Sequence, residues 1–138
     1  IECNKYIKFG YMYEKAKEVL QERQISKFIE AGSVAAAIKT VTGNIYVGVC
    51  FDTSCSLGMC AERNAVFGAY CKGYRKEDII GLAIVADCSP IASPCGACRQ
   101  VLSELVDLEM PIFLANKEKV EKHTIGELLP MVFIGESL

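Results

Sequence analysis

The chain has 138 residues, 51% of them apolar and 23% charged, and a formal net charge of -2. That length suits one domain over residues 1–138 with a core of its own, and the charge offers none of the basic footprint by which proteins hold nucleic acid. No run approaches the ~20 consecutive apolar residues of a membrane span, and the amino terminus lacks the basic start and apolar core of an export signal, so the expected setting is the cytosol.

In chain order, apolar residues recur at steps of three and four from Tyr13 through Ala16, Val19 and Leu20 to Ile25, Phe28 and Ile29. This predicts a helix over residues 11–30, ended by Gly32. Residues 34–41 are rich in small and β-branched side chains, Gly43-Asn44 marks a turn, and Ile45, Val47 and Val49 alternate with other residues, so a hairpin follows. Residues 52–58 read as a polar loop that delivers Cys60 to a second helix over residues 60–73. The continuous apolar run at 79–86 suits a buried central strand, and a loop over 87–94 leads into a third helix over 95–106. A strand at 112–115, an edge strand at 118–124 and a short helix capped by Thr124 and reaching Leu129 complete the pattern. Strands alternating with helices indicate an α/β sandwich with a partly parallel sheet.

The cysteines divide into classes. Cys50, Cys71 and Cys88 lie in apolar runs and read as small buried hydrophobes. Without an export signal the thiols are expected to be reduced. Cys95 and Cys98 have the spacing by which one turn of backbone aims two sulfurs at a single tetrahedral ion, and Cys60 stands just before Ala61 and Glu62. Structural zinc sites close with four protein ligands, whereas catalytic ones offer three and leave the fourth position to water. Three thiols and a nearby carboxylate therefore point to hydrolysis. Both stretches open helices, whose free amides and positive ends favour thiolate over thiol. Zn²⁺ suits such ligands, and Arg63 is placed to offset the excess negative charge of three thiolates. Glu62 has the chemistry of a proton shuttle, taking a proton from water and delivering it to substrate. Two other readings of the same residues stay open: a structural zinc site completed by Cys55 or His123, and a redox pair at Cys95 and Cys98. His123 itself reads first as a surface or edge-strand residue, and Tyr6, Phe9, Tyr11 and Tyr13 as packing residues of the first helix.

Cys60-Ala61-Glu62-Arg63 together with Ser93-Pro94-Cys95-Gly96-Ala97-Cys98-Arg99-Gln100-Val101-Leu102 resembles the paired motifs of the small homotetrameric cytidine deaminases, the family that includes blasticidin S deaminases. The ending Gly126-Glu127-Leu128-Leu129-Pro130 with Phe133, and the hairpin of residues 34–48, resemble the same family. The resemblance implies a three-layer α/β/α sandwich with a mixed five-stranded sheet, one Zn²⁺ per subunit and a homotetramer. It also implies hydrolysis of the exocyclic amine of a small cytidine-like molecule, or of a cytosine-containing analogue such as blasticidin S, with release of ammonia. By the same resemblance Cys60, Cys95 and Cys98 hold the metal, Glu62 shuttles protons and Arg63 tunes the thiolates. Backbone groups of Ala61 and Ser93 touch the base, and Phe133 reaches the active site of a neighbouring subunit. Two departures concern the substrate: Val49 and Phe51 stand where the family's Asn and Glu grip the ribose, and Gly32 replaces the aromatic residue of the pyrimidine pocket. These departures keep two alternatives in view, a zinc-stabilised binding protein without turnover and a deaminase of a different base.

Overall fold

The computed structural model describes the backbone of residues 2–135 and the side chains of residues 10–135. In chain order the elements are α1 (Glu2–Val19), β1 (Arg23–Ser26), β2 (Ile29–Thr40), β3 (Ile45–Asp52), α2 (Ala61–Cys71), β4 (Ile79–Val85), α3 (Gly96–Leu105), β5 (Ile112–Ala115), β6 (Val120–His123) and α4 (Ile125–Leu128). The sheet is mixed: β4 and β5 are parallel, and the other pairings are antiparallel.

Successive side chains of a strand point to opposite faces, and the core divides accordingly. Ala36, Ile38, Leu82, Ile84, Ile112 and Leu114 pack with Ala65, Val66 and Ala69 of α2, Leu102 of α3 and Ile125 of α4. Ala35, Ala37, Ala83, Val85, Phe113 and Ala115 pack instead with Met12 and Ala16 of α1. The result is the expected three-layer α/β/α arrangement. Small side chains at Ala35, Ala36 and Ala37, all completely buried, let helices approach β2 from both faces. Tyr70 Oη donates to Leu105 O at 2.6 Å and ties α2 to α3.

The helix expected over residues 11–30 ends at Val19. Arg23–Ser26 and Ile29–Thr40 form antiparallel strands joined by a tight turn. Ile25 and Phe28, whose spacing suited a helix, are 54% and 63% exposed, so the spacing reflects no buried stripe. Gly32 lies inside β2 instead of ending a helix. Its φ is +88°, and a Cβ there would stand 2.0 Å from Gln21 O, so glycine alone lets the strand pass beneath the α1–β1 connection.

β1 makes the sheet six-stranded where five strands were expected. Ala31 pairs with Arg23 on one edge and with Phe51 on the other, and from Ala35 onward the first edge is taken by β4. β1 is thus a short extension beyond the end of β4, and the other five strands run β3-β2-β4-β5-β6. Cys71 and Cys88 are exposed and Cys50 is half-buried, so the apolar runs around them do not carry these thiols into the core. All the cysteines among the described residues are free. Tyr13 packs against the α1 side of the core while Tyr11 is exposed; the side chains of Tyr6 and Phe9 lie outside the described residues. Among the described residues no helix is long and apolar enough to cross a membrane.

Candidate metal centre

Cys60 is the residue that begins α2, and Cys95 the residue that begins α3, both with extended backbone before the first helical turn. Both helices lie on the same face of the sheet, which brings their amino ends together. The Cys60 and Cys95 sulfurs are 3.6 Å apart, and with the completely buried Cys98 all three sulfurs lie within 4.8 Å of one another. Sulfurs bound at ~2.3 Å to one tetrahedral ion stand about 3.8 Å apart. The Cys60–Cys95 distance matches that spacing, and the three thiols together are close enough to hold one ion. Neither Cys55 nor His123, the alternative fourth ligands, belongs to this cluster among the described residues. Cys55 is exposed, its sulfur 3.4 Å from Thr53 Oγ1, and His123 stands between Glu121 and Glu127. Three protein ligands and an open position are the pattern of a catalytic site.

The surrounding groups bear on the charge of the thiols. The Cys98 amide donates to Cys95 Sγ at 3.4 Å, and Arg63 Nη2 donates to Cys60 Sγ at 3.6 Å. Arg63 Nε is buried without a hydrogen-bond partner. The bond to Cys60, set against burial, raises the guanidinium pKa, so this cation belongs with thiolates. Burial opposes ionisation of Cys95, but the Cys98 amide and the neighbouring thiols outweigh it and hold its pKa below the ordinary value. Burial, then Glu62, pushes the Cys98 thiol up. Glu62 is 4% exposed, and burial raises its carboxyl above the ordinary value against smaller opposing effects that include Cys98 and Arg63. Cys98 and Glu62 are buried, Cys60 is half-buried and Cys95 is exposed, and acidic groups gathered this closely are what a divalent cation would relieve.

A cytidine deaminase of Halalkalibacterium halodurans is 36% identical over 129 residues, covering 88% of this chain and 93% of that protein. The chain belongs to the cytidine deaminase family. A crystal structure of a cytidine deaminase from Burkholderia pseudomallei matches with a TM-score of 0.79 at 33% identity, over 90% of this chain and 98% of that one. A blasticidin-S deaminase of Bacillus cereus is 31% identical over 108 residues, 72% of this chain and 76% of that protein. No protein-family model matches the chain. The chain is thus a hydrolytic nucleoside deaminase, and its Cys60, Cys95 and Cys98 cluster could hold a metal ion.

Within this deaminase the other candidate residues separate. Ala61 is buried in the first turn of α2, beside Cys60. Ser93 lies just before Pro94 and Cys95, its hydroxyl accepting from Arg99 Nη2 at 3.1 Å. Val49 and Phe51, by contrast, face away from the thiols. Val49 packs on the α1 side of the sheet, and with Phe51, Gly32, Glu18 and Val19 it lines a groove of about 300 Å³. The reason is the two-residue period of β3. A Cβ on Gly48 would meet Ala65 N at 2.7 Å and Tyr46 packs with the α2-side core, so Gly48, Cys50 and Asp52 share the face toward α2. Asn64 Nδ2 reaches Val49 O at 3.3 Å and fastens strand to helix. Cys50 Sγ lies 3.2 Å from Ser33 Oγ. The polar residues on the thiol-bearing side of β3 are therefore Cys50 and Asp52, which counting the alternation from a helix-packed Gly48 would have found. Phe133 is 56% exposed. It lies beside Ser103, Glu104 and Leu108 toward the carboxy-terminal half of α3, so its own chain does not bring it to the thiols.

Proposed function

We propose that this chain is a zinc-dependent hydrolase that converts the exocyclic amine of a cytidine-like nucleoside, or of a cytosine-containing analogue such as blasticidin S, to a carbonyl. The observation that carries this reading is the placement of Glu62, a carboxylate 4% exposed in the first turn behind one thiol and interacting with another. A solvated helix residue would have no reason to stand there. Cys60, Cys95 and Cys98 are the residues to hold zinc, one ion per subunit. Zinc held by these thiols would supply Lewis acidity and a nucleophilic water at neutral pH.

The chain's own groups do the rest. Arg63 offsets thiolate charge through its bond to Cys60 Sγ at 3.6 Å. Glu62 takes up a proton as water attacks the amine-bearing carbon and returns it to the substrate. The carbon–oxygen bond forms and the carbon–nitrogen bond breaks; one proton of water ends on the ring nitrogen and the other leaves with the amine as ammonia. Backbone groups of Ala61 and Ser93 hold the base. Cys50 and Asp52, facing α2, take over the substrate-facing role expected of Val49 and Phe51. A homotetramer of single-domain chains in the cytosol, with Phe133 meeting a neighbouring subunit's site, is supported by family membership. A net charge of -2 supports small molecules over nucleic acid as substrates.

Glu62→Gln tests the mechanism directly. The variant is expected to keep one zinc per chain while ammonia release from cytidine, deoxycytidine and blasticidin S falls by at least about 100-fold. A Glu62→Gln enzyme with normal turnover would overturn the assignment. Zinc-loaded wild-type chain that releases ammonia from none of these compounds would instead favour a binding protein on the deaminase fold.

A further inference from the structure

We infer that Arg99 is a positioning residue for the loop that presents Ser93 to the substrate, an assignment that rests on the deaminase reading above. Arg99 follows Cys98 in the first turn of α3 and is half-buried. Its guanidinium serves three acceptors on two separate stretches of chain. Nε donates to Pro94 O at 2.8 Å and Nη2 to Ser93 Oγ at 3.1 Å. Nη1 donates to Leu128 O, the last residue of α4, at 2.7 Å. One planar group on the metal-bearing helix thus holds the loop against that helix and fastens both to the carboxy-terminal end of the fold.

None of these bonds reaches a thiol or Glu62, so Arg99 acts through Ser93 and Pro94. The thiols have their own supports: the Cys98 amide on Cys95 Sγ at 3.4 Å and the Arg99 amide on Cys95 O at 2.9 Å are backbone donations that do not involve the guanidinium. Loop placement and metal holding are therefore separable by mutation. The arrangement also distinguishes shape from charge. A guanidinium carries its donors in a rigid plane, whereas a lysine ammonium offers them from one point, so lysine keeps the charge and loses the fork.

The experiment compares Arg99→Gln, Arg99→Lys and Ser93→Ala in the zinc-loaded full chain. Both Arg99 variants are expected to keep one zinc per chain and to raise KM about tenfold with a smaller change in kcat, as loss of substrate positioning requires. Ser93→Ala, which removes one of the three acceptors, should raise KM less. Amide hydrogen exchange over residues 92–95 should rise about tenfold in both Arg99 variants, because the loop loses its anchor. Wild-type KM in Arg99→Gln, full activity in Arg99→Lys, or loss of zinc in both would each overturn the assignment. If the wild-type chain deaminates nothing in the panel, the deaminase reading fails by itself. Exchange then decides Arg99: a rise over residues 92–95 with zinc retained upholds it, and no change refutes it.

Discussion

Replacing Gly48 with alanine tests whether β3 sets the geometry of the metal centre. A Cβ there would stand 2.7 Å from Ala65 N, 2.8 Å from Ala61 O and 2.9 Å from Asn64 Cβ, all in the first turns of α2. Two of these atoms are backbone and cannot swing aside. Ordinary contact begins at 3.4 Å, so α2 has to retreat by about 0.7 Å. Cys60 opens that helix, and its sulfur is 3.6 Å from Cys95 on α3, to which none of the three nearest atoms belongs. The retreat therefore falls on the sulfur-to-sulfur distance, while metal–ligand distances tolerate only about 0.2 Å. A misplacement approaching 1 Å costs on the order of 100-fold in catalysis. Zinc affinity from chelator competition and kcat/KM are both expected to fall by about that factor, and overpacking should lower unfolding stability by about 1–3 kcal/mol. Gly68→Ala on the same helix is the control. Its Cβ meets nothing within 4 Å, so it should gain about 0.5–1 kcal/mol with zinc affinity unchanged. Gly48→Ala with wild-type zinc affinity and kcat/KM would refute the reasoning.

Arg63→Gln removes the donor to Cys60 Sγ and is expected to weaken zinc binding by about 10–100-fold; affinity equal to wild type in chelator competition would count against a charge-tuning role. Val49→Thr should cost about 1–3 kcal/mol in urea unfolding, because its hydroxyl enters the α1-side packing, and should leave KM unchanged. Asp52→Asn should raise KM with little loss of stability, and the reverse pattern would show that the strand faces are misassigned. The Glu121 carboxyl is held below its ordinary value by Lys119 first and then His123. Its contribution is thus present above the unfolded-state pKa and lost as pH falls through the lower folded-state value. Glu121→Gln is expected to flatten the acid limb of urea midpoint against pH, and an unchanged limb would contradict the shift.

How far the sequence could be read depended on the range of the interactions concerned. Helix starts at Cys60 and Cys95 were legible because the residues before them are turn formers and those after them carry helical periodicity. The hairpin around Gly43 was legible for the same local reason, and Gly43 does adopt φ +88°. Residues 23–30 run as strands and a turn where a helix was expected, because Ile25, Phe28 and Ile29 happen to fall at helical spacing. Whether such a spacing marks a buried stripe depends on what packs against it, and here Ile25 and Phe28 face solvent. Cys71 and Cys88 failed similarly, since an apolar neighbourhood along the chain does not guarantee one in space.

By itself the sequence narrowed the chemistry: two thiols at a fixed spacing, a third thiol and a carboxylate beside it point to zinc and hydrolysis, while a structural zinc site and a redox pair stayed open and the resemblance of the paired motifs implied deamination. Only the tertiary structure decided that they do meet, with Cys60 and Cys95, 35 positions apart in the chain, brought to 3.6 Å by two helices docked on one face of the sheet. It also decided which residues of β3 look toward that centre. A strand reverses its inward and outward faces with a one-residue change of register, and the contact that settles the register, Gly48 against the backbone of α2, lies far from local sequence signals. That contact turns Cys50 and Asp52 to the α2 side of the sheet and Val49 and Phe51 to the α1 side.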